Sequence, residues 1–223
     1  MTVNDLPGKL IAFEGVDGSG ISTQIRLVER WLKNLDCLTH FSEWDSSEIV
    51  REASKRGKKN QLFTPTTFSL VHTLDFADRY DRQILPMLKA GYIVLCDRYI
   101  FTSLARDTVR GCDPAWLREL HGFAHIPDIT FLLDLPLHVA FERVLESREK
   151  ISYFEAGMDL GISNDIQESH RLFQGRIQEQ YLQMADEFGF TMIDATMNIH
   201  EMQLGLRKHI SSKIDLQSYT KRS

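Results

Sequence analysis

Apolar positions along this 223-residue chain fall into two alternating textures. Short runs that are apolar almost throughout read as strands covered on both faces: KLIAFEG, GYIVLCD, TFLLDL and GFTMIDA, with CLTHFSE a weaker fifth. Between them the spacing predicts helices near 22–35, 66–89, 114–124, 136–148, 166–187 and 199–212. About fifty residues, mostly helical in pattern, separate the second strand from the third. This alternation predicts an α/β fold, a three-layer, doubly wound, parallel five-stranded sheet flanked by helices, with ligands at the carboxyl ends of the strands. The length suits one domain over 1–214, followed by a polar tail over 215–223 that is expected to fray.

Composition narrows the function. With 43% apolar and 26% charged residues the chain reads as an ordinary globular protein. A net charge of −5 argues against a general nucleic-acid binder, which needs a basic footprint. Cys37, Cys96 and Cys112 are scattered, with no metal-ligand or disulfide spacing, so a reducing cytoplasmic setting is expected. No run has membrane length, so no membrane partner is expected.

The strongest local signal is FEGVDGSGISTQ, from Phe13 to Gln24. Gly15-x4-Gly20 follows a strand and opens a helix, the setting in which such a loop cradles phosphate on backbone amides. Residues Gly15, Val16, Asp17, Gly18, Ser19, Gly20, Ile21, Ser22 and Thr23 are therefore the candidate ATP-binding loop, with Ser22 placed to meet Mg²⁺. Ile21 stands where such loops carry a lysine. An isoleucine neither donates a hydrogen bond nor offsets charge, and losing one preorganised cation costs on the order of 10²–10³ in rate. Asp97 closes an apolar strand and is the second candidate for Mg²⁺. Arg98 and Arg79 offer planar forks suited to an acceptor phosphate. A structural ion pair is the alternative for Asp97–Arg98, and a solvated surface arginine the alternative for Arg79.

Five segments in order resemble the thymidylate kinase family of P-loop enzymes, over about residues 8–210. They are FEGVDGSGISTQ, FADRYDRQI, CDRYIFTSLA, PDITFLLDLPLHVAFERV and FTMIDA. The resemblance implies transfer of the γ-phosphoryl group of ATP to dTMP, with Mg²⁺. It implies catalytic roles for Asp17, Asp97 and Arg98, acceptor contacts from Glu43, Arg79, Arg98, Tyr99 and Ser103, and a possible homodimer through the long helix FTPTTFSLVHTLDFADRY. It places a mobile lid at about 147–164, with Arg143 among the ATP contacts and Arg148 or Lys150 as a cation to replace the missing lysine. A helix-end charge cluster is the alternative for the last two. The run Arg51–Lys59 is another source of positive charge, read first as a solvated helix end.

The chain departs from the family pattern in three places. Ile21 is one. FSEWDSS stands where the family has Arg-Glu-Pro-Gly. Asp75 occupies the position of the phenylalanine on which family enzymes stack thymine, and Arg106–Asp107 replace a polar-neutral stretch. Two alternatives to a dTMP kinase therefore stay open: a nucleotide-binding regulatory protein with little activity, and a kinase of the same fold with another acceptor. A GTPase is disfavoured, because no Asn-Lys-x-Asp run is present.

Overall fold

All five apolar runs form strands in the computed structural model, which describes residues 6–147 and 150–221. They are β1 (Lys9–Glu14), β2 (Thr39–Glu43), β3 (Ile93–Asp97), β4 (Ile129–Asp134) and β5 (Thr191–Asp194). They lie in the order β2-β3-β1-β4-β5, every neighbouring pair parallel. Connections run first to one side of β1 and later to the other, which opens a crevice beyond the carboxyl ends of β1 and β3.

Alternate residues of β1 feed two cores. Leu10 and Ala12 join Phe76, Phe101 and Tyr181 on one face, while Ile11 and Phe13 join Ile25, Val28 and Leu206 on the other. A sheet apolar on both faces is buried by helices on both faces, as the unalternating runs require. The helices are α1 (Ile21–Asn34), α2 (Glu48–Lys59), α3 (Pro65–Arg79), α4 (Leu85–Lys89), α5 (Ile100–Val109), α6 (Pro114–Leu120), α7 (Leu137–Ser147), α8 (Ile166–Phe188) and α9 (Ile199–Lys213). Several begin where local chemistry says they should. Thr64 caps α3 reciprocally with Thr67, ahead of Pro65, and Asn198 caps α9 reciprocally with Glu201.

Three features depart from the sequence reading. The helix expected over 66–89 is broken by a π-helical turn at Tyr80–Ile84. Pro86 follows it and has no amide to continue the α-helical ladder. Helix α5, which lies outside the helices predicted, is buried from Ile100 to Ala105 and at Asp107. The tail does not fray through Lys221. Tyr219 accepts from the Leu38 amide at 2.8 Å, and the Lys221 amide donates to Asp36 at 3.0 Å, fastening the tail beside the start of β2.

Candidate active site

The loop between β1 and α1 bends back across the end of the sheet. Gly18, at φ 84°, lies so close to α7 that a Cβ there would sit 2.3 Å from the Ala140 carbonyl oxygen. Gly20, at φ 92°, caps α1 and faces open space. Glycine is needed at both, for the close approach at one and the left-handed backbone at each. Val16 through Thr23 line one end of a cleft of about 730 Å³, within the range of small-molecule sites. The start of α1 brings its positive dipole end there. Gly15 stands behind the wall, its carbonyl accepting from Arg98 at 2.8 Å. Ile21 is 5% exposed and packs with Val16 and Ile25 in the apolar core, so it is a packing residue at the edge of the cradle.

Ser22 and Asp97 meet across the cleft mouth, the hydroxyl donating to the carboxylate at 3.0 Å. The two loops therefore bring one hydroxyl and one carboxylate together beside the cradle. No group of three His, Cys, Asp or Glu side chains suited to a metal occurs among the described residues. This pair fits Mg²⁺, which binds through one or two protein oxygens and fills its remaining positions with waters and substrate phosphates.

Arg98 follows Asp97 with φ 64°, a backbone that non-glycine residues adopt at a cost. Its guanidinium donates to Gly15 and, at 2.7 Å, to Asp17. Gln174 holds Asp17 from the other side, accepting from its amide at 3.1 Å. Burial alone would lower the Arg98 guanidinium, but Tyr181, Asp17, Asp97 and Glu14 outweigh it and hold the charge firmly. Glu14 lies beneath, fully buried, accepting from the Tyr99 amide at 2.8 Å, the Thr102 hydroxyl at 2.6 Å and the Tyr181 hydroxyl at 2.9 Å. Burial pushes its carboxyl from 4.5 up to about 7, against the pull of these donors and Arg98.

The folded protein thus keeps the Glu14 proton over a range where the unfolded chain has lost it. That contribution to stability is complete below pH 4.5 and disappears as pH rises to about 7. Glu14→Gln should remove the dependence. Between pH 4.5 and 8 the unfolding free energy of the wild type should fall relative to Glu14→Gln by on the order of 3 kcal/mol. Urea titrations of both proteins across this range test it, and parallel pH profiles would refute it.

Several of the residues expected to contact an acceptor stand away from the cleft wall. Arg79 is not a solvated surface arginine and does not reach the cleft. It is fully buried, donating to Asp75 at 2.9 Å and to Ser42 at 3.0 Å. Asp75 makes this happen, because a carboxylate one helical turn away captures the guanidinium. Tyr99 is also core, its hydroxyl donating to the His125 carbonyl. Glu43 is exposed and off the cleft wall. Ser103 is buried in α5 with its hydroxyl unpartnered. Arg143 does line the cleft, donating to Ala195 at 3.3 Å. Lys150 is exposed and off the cleft wall, and Arg148 lies outside the described residues.

Trp44, Asp45, Lys58, Phe68, Arg106 and Phe154 also line the cleft. Lys58 is not a freely solvated helix end. It crosses to Asp45 at 2.6 Å, bringing the basic end of α2 to the cleft. Charge in the Arg51–Lys59 run was visible beforehand, but its direction depends on how α2 packs. Gly57 lets the Phe63 ring come within 2.2 Å of where a Cβ would stand. Residues 152–161 dock against this part of the cleft through Arg110, which is buried at the C-terminal cap of α5. Its guanidinium donates to the Phe154 carbonyl at 2.6 Å and to Asp159 at 2.9 Å, and lies over the Phe68 and Phe173 rings. Burial and the neighbouring Arg106 lower Arg110 to about 10, while Asp159 and Asp107 oppose them.

The chain is similar to known proteins over most of its length. A family model described as thymidylate kinase matches residues 13–204. "Probable thymidylate kinase 2" of Saccharolobus solfataricus is 41% identical over 209 residues, covering 93% of this chain and 98% of that protein. "Probable thymidylate kinase" of Thermococcus kodakarensis is 33% identical over 187 residues, covering 80% and 84%. The Pyrococcus abyssi protein of the same name is 30% identical over 213 residues, covering 91% and 97%.

Proposed function

The chain belongs to the thymidylate kinase family, and we propose from this that it moves the γ-phosphoryl group of ATP to a nucleoside monophosphate, with dTMP the default acceptor. The observation that carries the proposal is the meeting of Ser22, Asp97 and Arg98 at the glycine-rich end of one cleft. An acceptor phosphate oxygen would form a bond to the γ-phosphorus as the bridging bond to ADP breaks. The loop amides and the α1 dipole hold the donor phosphates. Ser22 and Asp97 would hold Mg²⁺, which neutralises phosphate charge when bound. The Arg98 fork directs the acceptor phosphate, with Asp17 fixing its orientation. Arg143 approaches from α7 as a donor-side cation, and Arg148 at the start of the proposed lid, about 147–164, is the candidate to replace the absent lysine. Homodimerisation through α3 is proposed from its exposed Leu70 and Leu74. A cytoplasmic location fits a chain in which no described helix is long and apolar enough to cross a membrane.

Ile21 favours a second reading, a nucleotide-binding pseudokinase. Both readings require the loop to bind nucleotide, since backbone amides and not a lysine provide most contacts. Calorimetry with Mg·ATP and Mg·ADP should show binding of each, and silence at millimolar concentration would sink both. ATP consumption measured against a panel of nucleoside monophosphates then separates them.

A further inference from the structure

Lys58, Arg98, Arg106 and Arg143 are the cations of the described residues that line the cleft. Three are engaged. Lys58 is paired with Asp45, Arg98 with Asp17, and Arg143 donates to Ala195. Arg106 makes no hydrogen bond or ion pair with any described residue, and its guanidinium lies 5.3 Å from the Phe68 ring centroid. Phe68 is a fixed platform, held by Phe154 at 5.2 Å, His72 at 4.5 Å and the Arg110 guanidinium at 4.2 Å.

Position decides which part of a ligand these groups meet. Phosphate chemistry belongs to the cradle, Asp97 and Arg98, just before α5 begins at Ile100. Arg106 stands about 9 Å farther along the helix axis, beyond the reacting phosphates and toward the nucleoside. Arg79, the other arginine expected near the acceptor, does not line the cleft. Arg79 is held by Asp75 and Ser42, and its guanidinium lies beneath Trp44, 5.6 Å from that ring.

We propose that Arg106 is a specificity-determining residue that donates to the O4 carbonyl of the acceptor base, with Phe68 bracing its guanidinium. A guanidinium has donors and no acceptor, so it suits the O4 carbonyl of thymine or uracil, the position where cytosine carries an amino group. A cytosine amino group in the same place sets donor against donor and leaves both desolvated. Positive charge converges on the neighbouring buried His72, which burial first and then Arg106, Lys58, Arg110 and Arg79 hold well below its usual range. A neutral His72 adds no further cation to this end of the cleft.

This inference rests on the monophosphate-kinase reading for its ligand class, and the experiment separates the two. Binding of dTMP, dUMP and dCMP to the full chain is measured by calorimetry for wild type, Arg106→Ala and Arg106→Lys. Transfer from ATP and the thermal midpoint are recorded alongside. Arg106→Ala should weaken dTMP and dUMP about 10–100-fold, leave dCMP and Mg·ATP within about twofold, and so erase the preference for thymine and uracil over cytosine. Arg106→Lys should recover part of it at an unchanged thermal midpoint. Equal weakening of all three monophosphates, or none, overturns the assignment, because Arg106 would then hold phosphate or only brace Phe68. Binding of dTMP without transfer overturns the catalytic reading and leaves the Arg106 assignment standing. Failure to bind any of the three monophosphates overturns both.

Discussion

Arg98→Ala should lower phosphoryl transfer by about 10²–10³ in kcat, the usual cost of removing one preorganised charged donor from a developing anionic centre. The reason lies in how the side chain is held. Its backbone sits at φ 64° directly after β3, and its fork is clamped by Gly15 and Asp17, with the Tyr181 hydroxyl at 3.4 Å. Such a group is aimed before substrate arrives and needs no reorganisation during the reaction. Arg98→Lys keeps the charge and loses the planar fork, so it should recover only part of the activity. Affinity for the monophosphate should fall more than affinity for Mg·ATP, by ~1.5–3 kcal/mol for one lost charge-assisted contact. Steady-state kinetics with varied acceptor, together with calorimetry for each ligand, measures both effects. Equal losses for donor and acceptor would move Arg98 from the acceptor phosphate to general scaffolding of the loop.

Asp75→Ala should be among the most destabilising single substitutions, at about 3–5 kcal/mol, because it leaves the buried Arg79 guanidinium without its counter-charge. Ser42 would remain as a neutral partner at 3.0 Å and cannot balance a charge. Removing both members should cost far less than removing one. Asp75→Leu with Arg79→Met replaces two desolvated charges by apolar groups of similar bulk, and should restore much of the loss. Chemical denaturation of wild type, both single variants and the double variant tests this cycle. Additive losses would mean that the pair is not coupled and that Asp75 acts mainly by accepting from the Ser47 amide at 2.8 Å.

These two residues show how differently parts of the molecule could be read from its sequence. Asp97 and Arg98 were legible because their setting is local: an apolar strand ends, the next residues are forced to its carboxyl edge, and a glycine-rich loop precedes a helix on the adjacent strand. The five strands were legible for the same reason. Runs apolar at every position have no exposed face, and only a parallel sheet covered on both sides accommodates them. The glycine-rich loop, Ser22 and the pairing of Asp97 with it follow from that order alone.

The acceptor side was decided in three dimensions. Whether Arg79 faces solvent, ligand or core depends on Asp75 one turn away, on Ser42 from β2 and on the Trp44 ring above it, none adjacent in sequence to all the others. Helix α5 carries Arg106 and is followed by Arg110 at its C-terminal cap, and only packing brings both guanidinium groups to the Phe68 ring. Lys58 looked like one of several exposed charges until α2 packed against Phe63 and turned it toward Asp45. Ile21 is the sharpest case. As a letter it marks a missing cation, and in the fold it is also an apolar residue closing the core beneath the loop. Strand and loop identity arise from interactions between near neighbours, which leave a period in the chain. The direction of a charged side chain arises from competition among partners brought together by packing, which leaves none.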